Sequence, residues 1–223
     1  MNEIWATLGE HGDEMLESLA ETGYMLAVSV SAAVLLGLPL GAAVYLTRPG
    51  GLVPQRLVWS VGNAFINVVR SFPFLLLVVF LIPLTRLVYG TSFGTPAATF
   101  SLCFVAVAVY GRLVEQILRE ISPGIPRMSV TMGATVPQTV VRFLLPEAVP
   151  GLVYALTSAV ISLLSYSTVL GVVGGGGIGD FALRYGYQEY DYPLMYATIL
   201  VILVLVLTVQ ALGHRLSVRL DHR

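Results

Sequence analysis

Arg127-Met-Ser-Val-Thr-Met-Gly-Ala-Thr-Val-Pro-Gln-Thr-Val-Val-Arg-Phe-Leu-Leu-Pro146 is helix-prone, water-compatible sequence set between two charge-free segments of membrane length, 87–111 and 148–179. Such a stretch does not span; it emerges into water between two spans and must meet something there. Around it the chain is apolar: 56% of residues are hydrophobic and 11% charged, with a mean hydropathy of +0.82. A soluble core does not need that much apolar surface. Residues 22–47, 71–85, 87–111, 148–179 and 192–213 contain no Asp, Glu, Lys or Arg. Most of these windows hold a helix of about 20 residues, the length that crosses a hydrocarbon core. The shortest extends past Arg86 to Tyr89, since an arginine near a helix end snorkels to the headgroups. The expectation is an all-α integral membrane protein with five spans, near 19–46, 73–89, 96–118, 148–172 and 193–213. Segment 1–18 precedes the first span, loop 119–147 joins the third to the fourth, and 217–223 forms a tail.

Positive charge in short loops is retained on the cytoplasmic face. With five spans, Arg48, Arg56, Arg70, Arg119, Arg127, Arg142, Arg215, Arg219 and Arg223 fall on one side, leaving Arg86 and Arg184 on the other and Arg112 within a span. The opposite face collects Glu3, Glu10, Asp13, Glu14, Glu17, Glu21, Asp180, Glu189 and Asp191. The expected topology is an N-terminus outside and a C-terminus in the cytoplasm of a multi-pass cell-membrane protein. A formal charge of −1 says nothing by itself; its distribution decides the topology, and no nucleic-acid partner fits it. The acidic opening lacks the basic start of a signal peptide and the first window is too long for one, so it reads as a retained span. All twelve basic residues are arginines, which points to codon bias rather than a need for guanidinium forks. Cys103 is the one cysteine and lies inside a span, so neither a disulfide nor a thiolate metal site follows.

Between the first two spans, 49–55 reads as a turn and 56–69 as an interfacial helix carrying Asn63 and Asn67 at i, i+4. Arg70-Ser71-Phe72-Pro73 opens the second span with a proline in its first turn. Arg112, Glu115 and Arg119 share one face of the third span near its cytoplasmic end, read as an interfacial ion pair in preference to an ion path. On the fourth span Tyr154, Ser158, Ser162 and Ser165 recur at i, i+4, i+8 and i+11, followed by Tyr166. Hydroxyls avoid lipid, so that face turns inward, either to pack closely against another helix or to line a watery cavity. The stretch from Gly171 to Tyr187 has the glycine density of a phosphate loop, without its Lys-Ser or Lys-Thr and without a preceding strand. Its glycines instead suit tight turns at a membrane exit. His11, His214 and His222 lie outside the spans, no paired carboxylates lie within one, and no nucleophile constellation or metal cluster is legible.

Gly133-Ala134-Thr135 and the Leu144-Leu145-Pro146 close resemble the cytoplasmic coupling loop of bacterial ABC importer permeases, and Arg70-Ser71-Phe72-Pro73 is similar to their second-span entry. Gly174-Gly-Gly-Gly-Ile-Gly-Asp180 with Arg184-Tyr-Gly-Tyr187, Ile82-Pro-Leu-Thr-Arg86 and Gly90-Thr-Ser92 looks like the methionine importer branch, over roughly 20–215. The resemblance implies a type I ABC importer permease fold and a homodimer in the lipid bilayer. It further implies two cytoplasmic ABC ATPase subunits that bind ATP and Mg, and an extracytoplasmic substrate-binding protein. No cofactor and no catalytic residue falls to this chain, which is a transport subunit rather than an enzyme. By the same resemblance Arg127, Met132, Gly133, Ala134, Thr135, Pro137, Leu145 and Pro146 couple to the ATPase. Tyr154, Ser158, Ser162, Ser165 and Tyr166 form the path or gate, while Gly174, Gly175, Gly176, Gly177, Asp180 and Arg184 form the outer docking loop. In one place the chain departs from the pattern: the family's motif opens with a glutamate where Arg127 stands, so no acidic contact is carried over. The substrate expected is methionine, L or D; another amino acid or glycine betaine is the alternative. A channel or secondary transporter would show an internal repeat or a charged midplane site, and the sequence has neither.

Overall fold

The computed structural model describes residues 11–221, so Glu3, Glu10, His222 and Arg223 lie outside the described residues, as do parts of segments 1–18 and 217–223. Every regular element among the described residues is helical. Helix α1 runs Gly12–Thr47, α4 Thr95–Glu120, α6 Val136–Val172 and α8 Tyr192–Leu220, and each is long and apolar enough to cross a membrane. Helix α2, Arg56–Ser71, and α3, Phe74–Tyr89, are interrupted at Phe72-Pro73; counted together as one broken span they bring the total to five. Alone, the 16 residues of α3 reach only about 24 Å, short of a hydrocarbon core. Two short helices complete the chain: α5, Gly124–Thr131, and α7, Gly177–Phe181, which continues as a π-helical stretch Ala182–Gln188.

The helices overrun the expected spans. Residues 19–46, 96–118 and 193–213 lie inside α1, α4 and α8, and 73–89 matches α3 with its N-cap Pro73. The fourth differs in kind: 148–172 is the later part of α6, whose first turn begins at Val136 inside the expected loop. Leu144-Leu145-Pro146 therefore continues a helix and does not end a loop. Pro146 has no N–H for the carbonyl four residues back. The helix passes that gap through a π-helical turn, Val140–Leu144, closed by Leu145 N–H donating to Val140 O. Helix α1 repeats the device, with a π-helical turn Ala33–Gly37 closed by Leu38 N–H to Ala33 O, one residue before Pro39.

The chain divides into two compact units. The first takes in α1 up to Ser31, Phe72–Val105 and Val160–Gln210. Its core includes Phe181, Ile178 and Leu194, all within 1% of full burial, with Met15, Leu19, Tyr185 and Ile202 packed around them. Gly171 and Gly179 allow α7 to lie directly on the end of α6, since a Cβ at either would collide with the backbone of Asp180 or Thr168.

The second unit comprises Ala32–Ser71, Ala106–Ala159 and the chain from Ala211 on. Here α1 and α4 meet through glycines, Gly37-Leu-Pro-Leu-Gly41 facing Gly111. A Cβ at Gly37 would stand 3.0 Å from Val107 O, and one at Gly41 would overlap Gly111 O. Small residues four apart are what allow such an approach where no hydrophobic force draws helices together. The expected pairing of Arg112, Glu115 and Arg119 is present and wider than expected. Glu115, 1% exposed, accepts from Arg112 and, at 2.6 Å, from Arg119. Arg112 also donates to Asn63 Oδ1 at 2.9 Å and to Asn67 Oδ1, so both asparagines of α2 join the charged node around buried Glu115. That satisfies the second unit's most expensive buried charge.

Candidate functional site

The segment 124–145 is built as a corner. Helix α5 ends in a Schellman motif: Gly133, at φ +77°, donates to Val130 O at 2.9 Å, and Ala134 donates to Ser129 O at 3.0 Å. Thr135 then caps α6 in a Thr-x-x-Gln capping box, its backbone N–H donating to Gln138 Oε1 at 2.9 Å, with Pro137 in the first turn. Inside the corner the Ser129 and Thr139 hydroxyls, both buried, bond at 2.9 Å, and Ser129 Oγ also donates to Pro126 O. A discrete short helix precedes Gly133, and the capping box starts the long helix at once after it.

Around the buried Ser129 and Thr139 pair, the corner shows several apolar side chains outward: Met132 is 71% exposed and Val141 62%, beside Met128, Val130 and Val136. A Cβ at Gly133 would meet nothing within 4 Å, so this glycine answers first to its left-handed backbone. Of the remaining expected coupling residues, Pro146 is exposed, Leu145 is half-buried, and Arg127 lines a cavity with Arg48 and Arg119.

The stripe of α6 is divided between the units. In the second, Tyr154 is 59% exposed and Ser158 half-buried, its hydroxyl donating to Tyr154 O. In the first, Ser165 is exposed and donates to Ile161 O, Ser162 is half-buried, and the Tyr166 ring stacks on Phe74 with centroids 4.7 Å apart. Ser158 and Ser165 satisfy their hydrogens one turn back on their own helix, so neither requires a partner helix.

The glycine-rich loop is held from α1. Glu21 accepts Gly177 N–H at 2.6 Å with one carboxylate oxygen and the Thr95 hydroxyl at 2.9 Å with the other. Thr22 Oγ1 accepts Ile178 N–H at 2.9 Å, and Gly94 N–H donates to Gly174 O. Gly174, Gly176 and Gly177 have positive φ, while Gly175 sits where a Cβ would collide with Ala98 and Leu170. Asp180 pairs with exposed Arg184 at 3.0 Å. Beside them the Tyr185 phenol is pushed up by its hydrogen bond to the Glu14 carboxylate. Sequence reading missed Glu21, Thr22 and Thr95 as the loop's anchors, because they lie far from it in the chain. The Thr135–Gln138 box and the Gly37–Gly41 pair had legible signals.

Residues 33–222 match the profile of the binding-protein-dependent transport system inner membrane component family. The probable D-methionine transport system permease protein of Vibrio cholerae is 39% identical over 213 residues, 96% of this chain and 95% of that one. The D-methionine transport system permease protein of Escherichia coli K12 is 41% identical over 157 residues, 70% and 72% of the two chains. A chain of the MetNI methionine ABC transporter, solved in inward-facing conformations, superposes with a TM-score of 0.90 at 38% identity, covering 93% of this chain and 96% of that one.

Proposed function

The chain belongs to the family of binding-protein-dependent transport system inner membrane components, and from that premise we propose that it carries methionine through the membrane as the permease of an ABC importer. The observation that carries this reading is the 0.90 superposition on the methionine transporter across 93% of the chain. The subunit works as a homodimer with two cytoplasmic ATPase subunits and receives substrate from an extracytoplasmic binding protein at the loop 174–184. It performs no bond chemistry; ATP and Mg are bound by the ATPase partner. The N-terminus lies outside and the C-terminus in the cytoplasm, as the arginine distribution favours.

The corner formed by α5 and the first turns of α6 is the coupling element. Met132, Gly133, Ala134, Thr135 and Pro137 stand at its tip, and Leu145 and Pro146 lie in the helix that leaves it. Closure of the ATPase pair on ATP draws the two corners together. Because the corner runs into α6 with no intervening loop, the push reaches Tyr154, Ser158, Ser162, Ser165 and Tyr166 along one continuous helix. Hydrolysis releases it, which makes access to the path alternate.

The test is ATP-driven uptake of L- and D-methionine into proteoliposomes containing this chain, its ATPase partner and its binding protein. Uptake dependent on all three components is expected. Import of glycine betaine or another amino acid, with methionine refused, would overturn the substrate while sparing the permease assignment.

A further inference from the structure

At the ends of α1 and α4, within the second unit, Arg48, Arg119 and Arg127 surround a cavity of about 270 Å³, with Tyr45 and Gly50-Gly51-Leu52 completing much of its wall. No carboxylate is among its lining residues. Arg48 is held in place over the Tyr45 ring, 4.2 Å from the centroid. Neither Arg48 nor Arg127 enters an ion pair among the described residues; the α5 helix simply brings Arg127 to the cavity's rim. Arg119 is already paired with Glu115, but its side chain is half exposed and retains N–H groups to offer. Three guanidinium groups around a concave site, with at least two lacking a counter-ion, call for an anion with several acceptor oxygens.

The position in the fold selects that anion. Both α1 and α4 are membrane-length helices, and Thr47 and Glu120 are their last residues, so the cavity opens at headgroup depth. Next along the chain, Val53, Leu57, Val58 and Val61 are exposed, with Leu57 at 73%. They form an apolar strip suited to an acyl chain beside the cationic cavity. We propose that this cavity binds the phosphate of an anionic phospholipid, with Arg48 and Arg127 as its principal ligands and Arg119 as a third shared with Glu115. Soluble phosphate has the same head chemistry but gains nothing from the apolar strip. An acidic side chain of the ATPase is the rival occupant.

The full chain, purified with its ATPase partner in a neutral detergent, is titrated with short-chain phosphatidylglycerol, short-chain phosphatidylcholine or inorganic phosphate. Thermal midpoint and native mass spectra are followed. Phosphatidylglycerol is expected to raise the midpoint and appear as a bound adduct, with the other two inert at the same concentration. Arg48→Gln with Arg127→Gln should weaken phosphatidylglycerol about 25-fold, roughly fivefold per arginine, and Arg48→Gln alone, outside the coupling residues, should leave the lipid-free midpoint in place. If the double variant does not assemble, Arg48→Gln alone should give the fivefold loss. Equal binding of phosphatidylcholine, an equal response to inorganic phosphate, or unchanged phosphatidylglycerol binding by the variants would each overturn the proposal. So would loss of the ATPase from the variants in lipid-free detergent with lipid affinity intact, which would assign the cavity to the ATPase. None of these readouts depends on methionine uptake.

Discussion

Gly133 sits at φ +77° with open space where its side chain would be, so its backbone conformation, and not crowding within the chain, is what excludes other residues. A non-glycine L-residue held left-handed costs about 1–2 kcal/mol, and asparagine tolerates the region best. Gly133→Asn should therefore support ATP-driven uptake close to the parent, and Gly133→Ala should lose a several-fold share by fraying the end of α5. Gly133→Trp, projecting from the apolar face of the corner, should hydrolyse ATP without transport. Paired uptake and ATPase measurements on reconstituted vesicles check this. If Asn proved as damaging as Trp, the glycine would be needed for close approach of the ATPase, and the backbone account would fail.

Helices set the next scale, and two of them carry contrasting glycines and serines. Gly23 and Gly41 both lie in α1, yet a Cβ at Gly23 meets nothing within 4 Å while one at Gly41 overlaps the α4 backbone. Gly41→Leu is expected to separate α1 from α4 and abolish a folded product in detergent; Gly23→Leu should purify with an unshifted midpoint. Equal behaviour of the two in a thermal unfolding series would remove the glycine contact as a determinant of the second unit. On α6, Ser165 is exposed with its hydroxyl satisfied by its own helix. A leucine there, presented twice by a homodimer, should obstruct the proposed path, cutting uptake at least tenfold while the complex elutes intact. Dissociation on size exclusion would instead make the serine face a packing surface.

For the molecule as a whole, orientation is the prediction that organises the rest. With Cys103→Ser as background, Asp13→Cys should react with an impermeant maleimide on intact cells, and Arg219→Cys only after permeabilisation. Labelling of both from one side would remove the five-span topology and the loop assignment with it. The exposed apolar surface fits a subunit that is covered by lipid and partners: most of α8 is unburied, with Leu200, Leu203, Val204 and Leu207 each about half exposed or more.

Helical class, membrane-length spans and family resemblance were determined by the sequence alone, because apolar run length, charge-free windows and short motifs are properties of the chain in one dimension. Glu115 with Arg112 and Arg119 was legible for the same reason, since helical spacing places them together. The partners that complete these features were decided only in three dimensions. Asn63 and Asn67 reach Arg112 from another helix, Ser129 meets Thr139 across a corner, and Glu21 closes on Gly177 across 156 residues. Spacing cannot report such pairs, because which faces of two helices meet depends on packing between them. The same holds at Pro146, where the residue type announces a break and the helix continues through a π-helical turn.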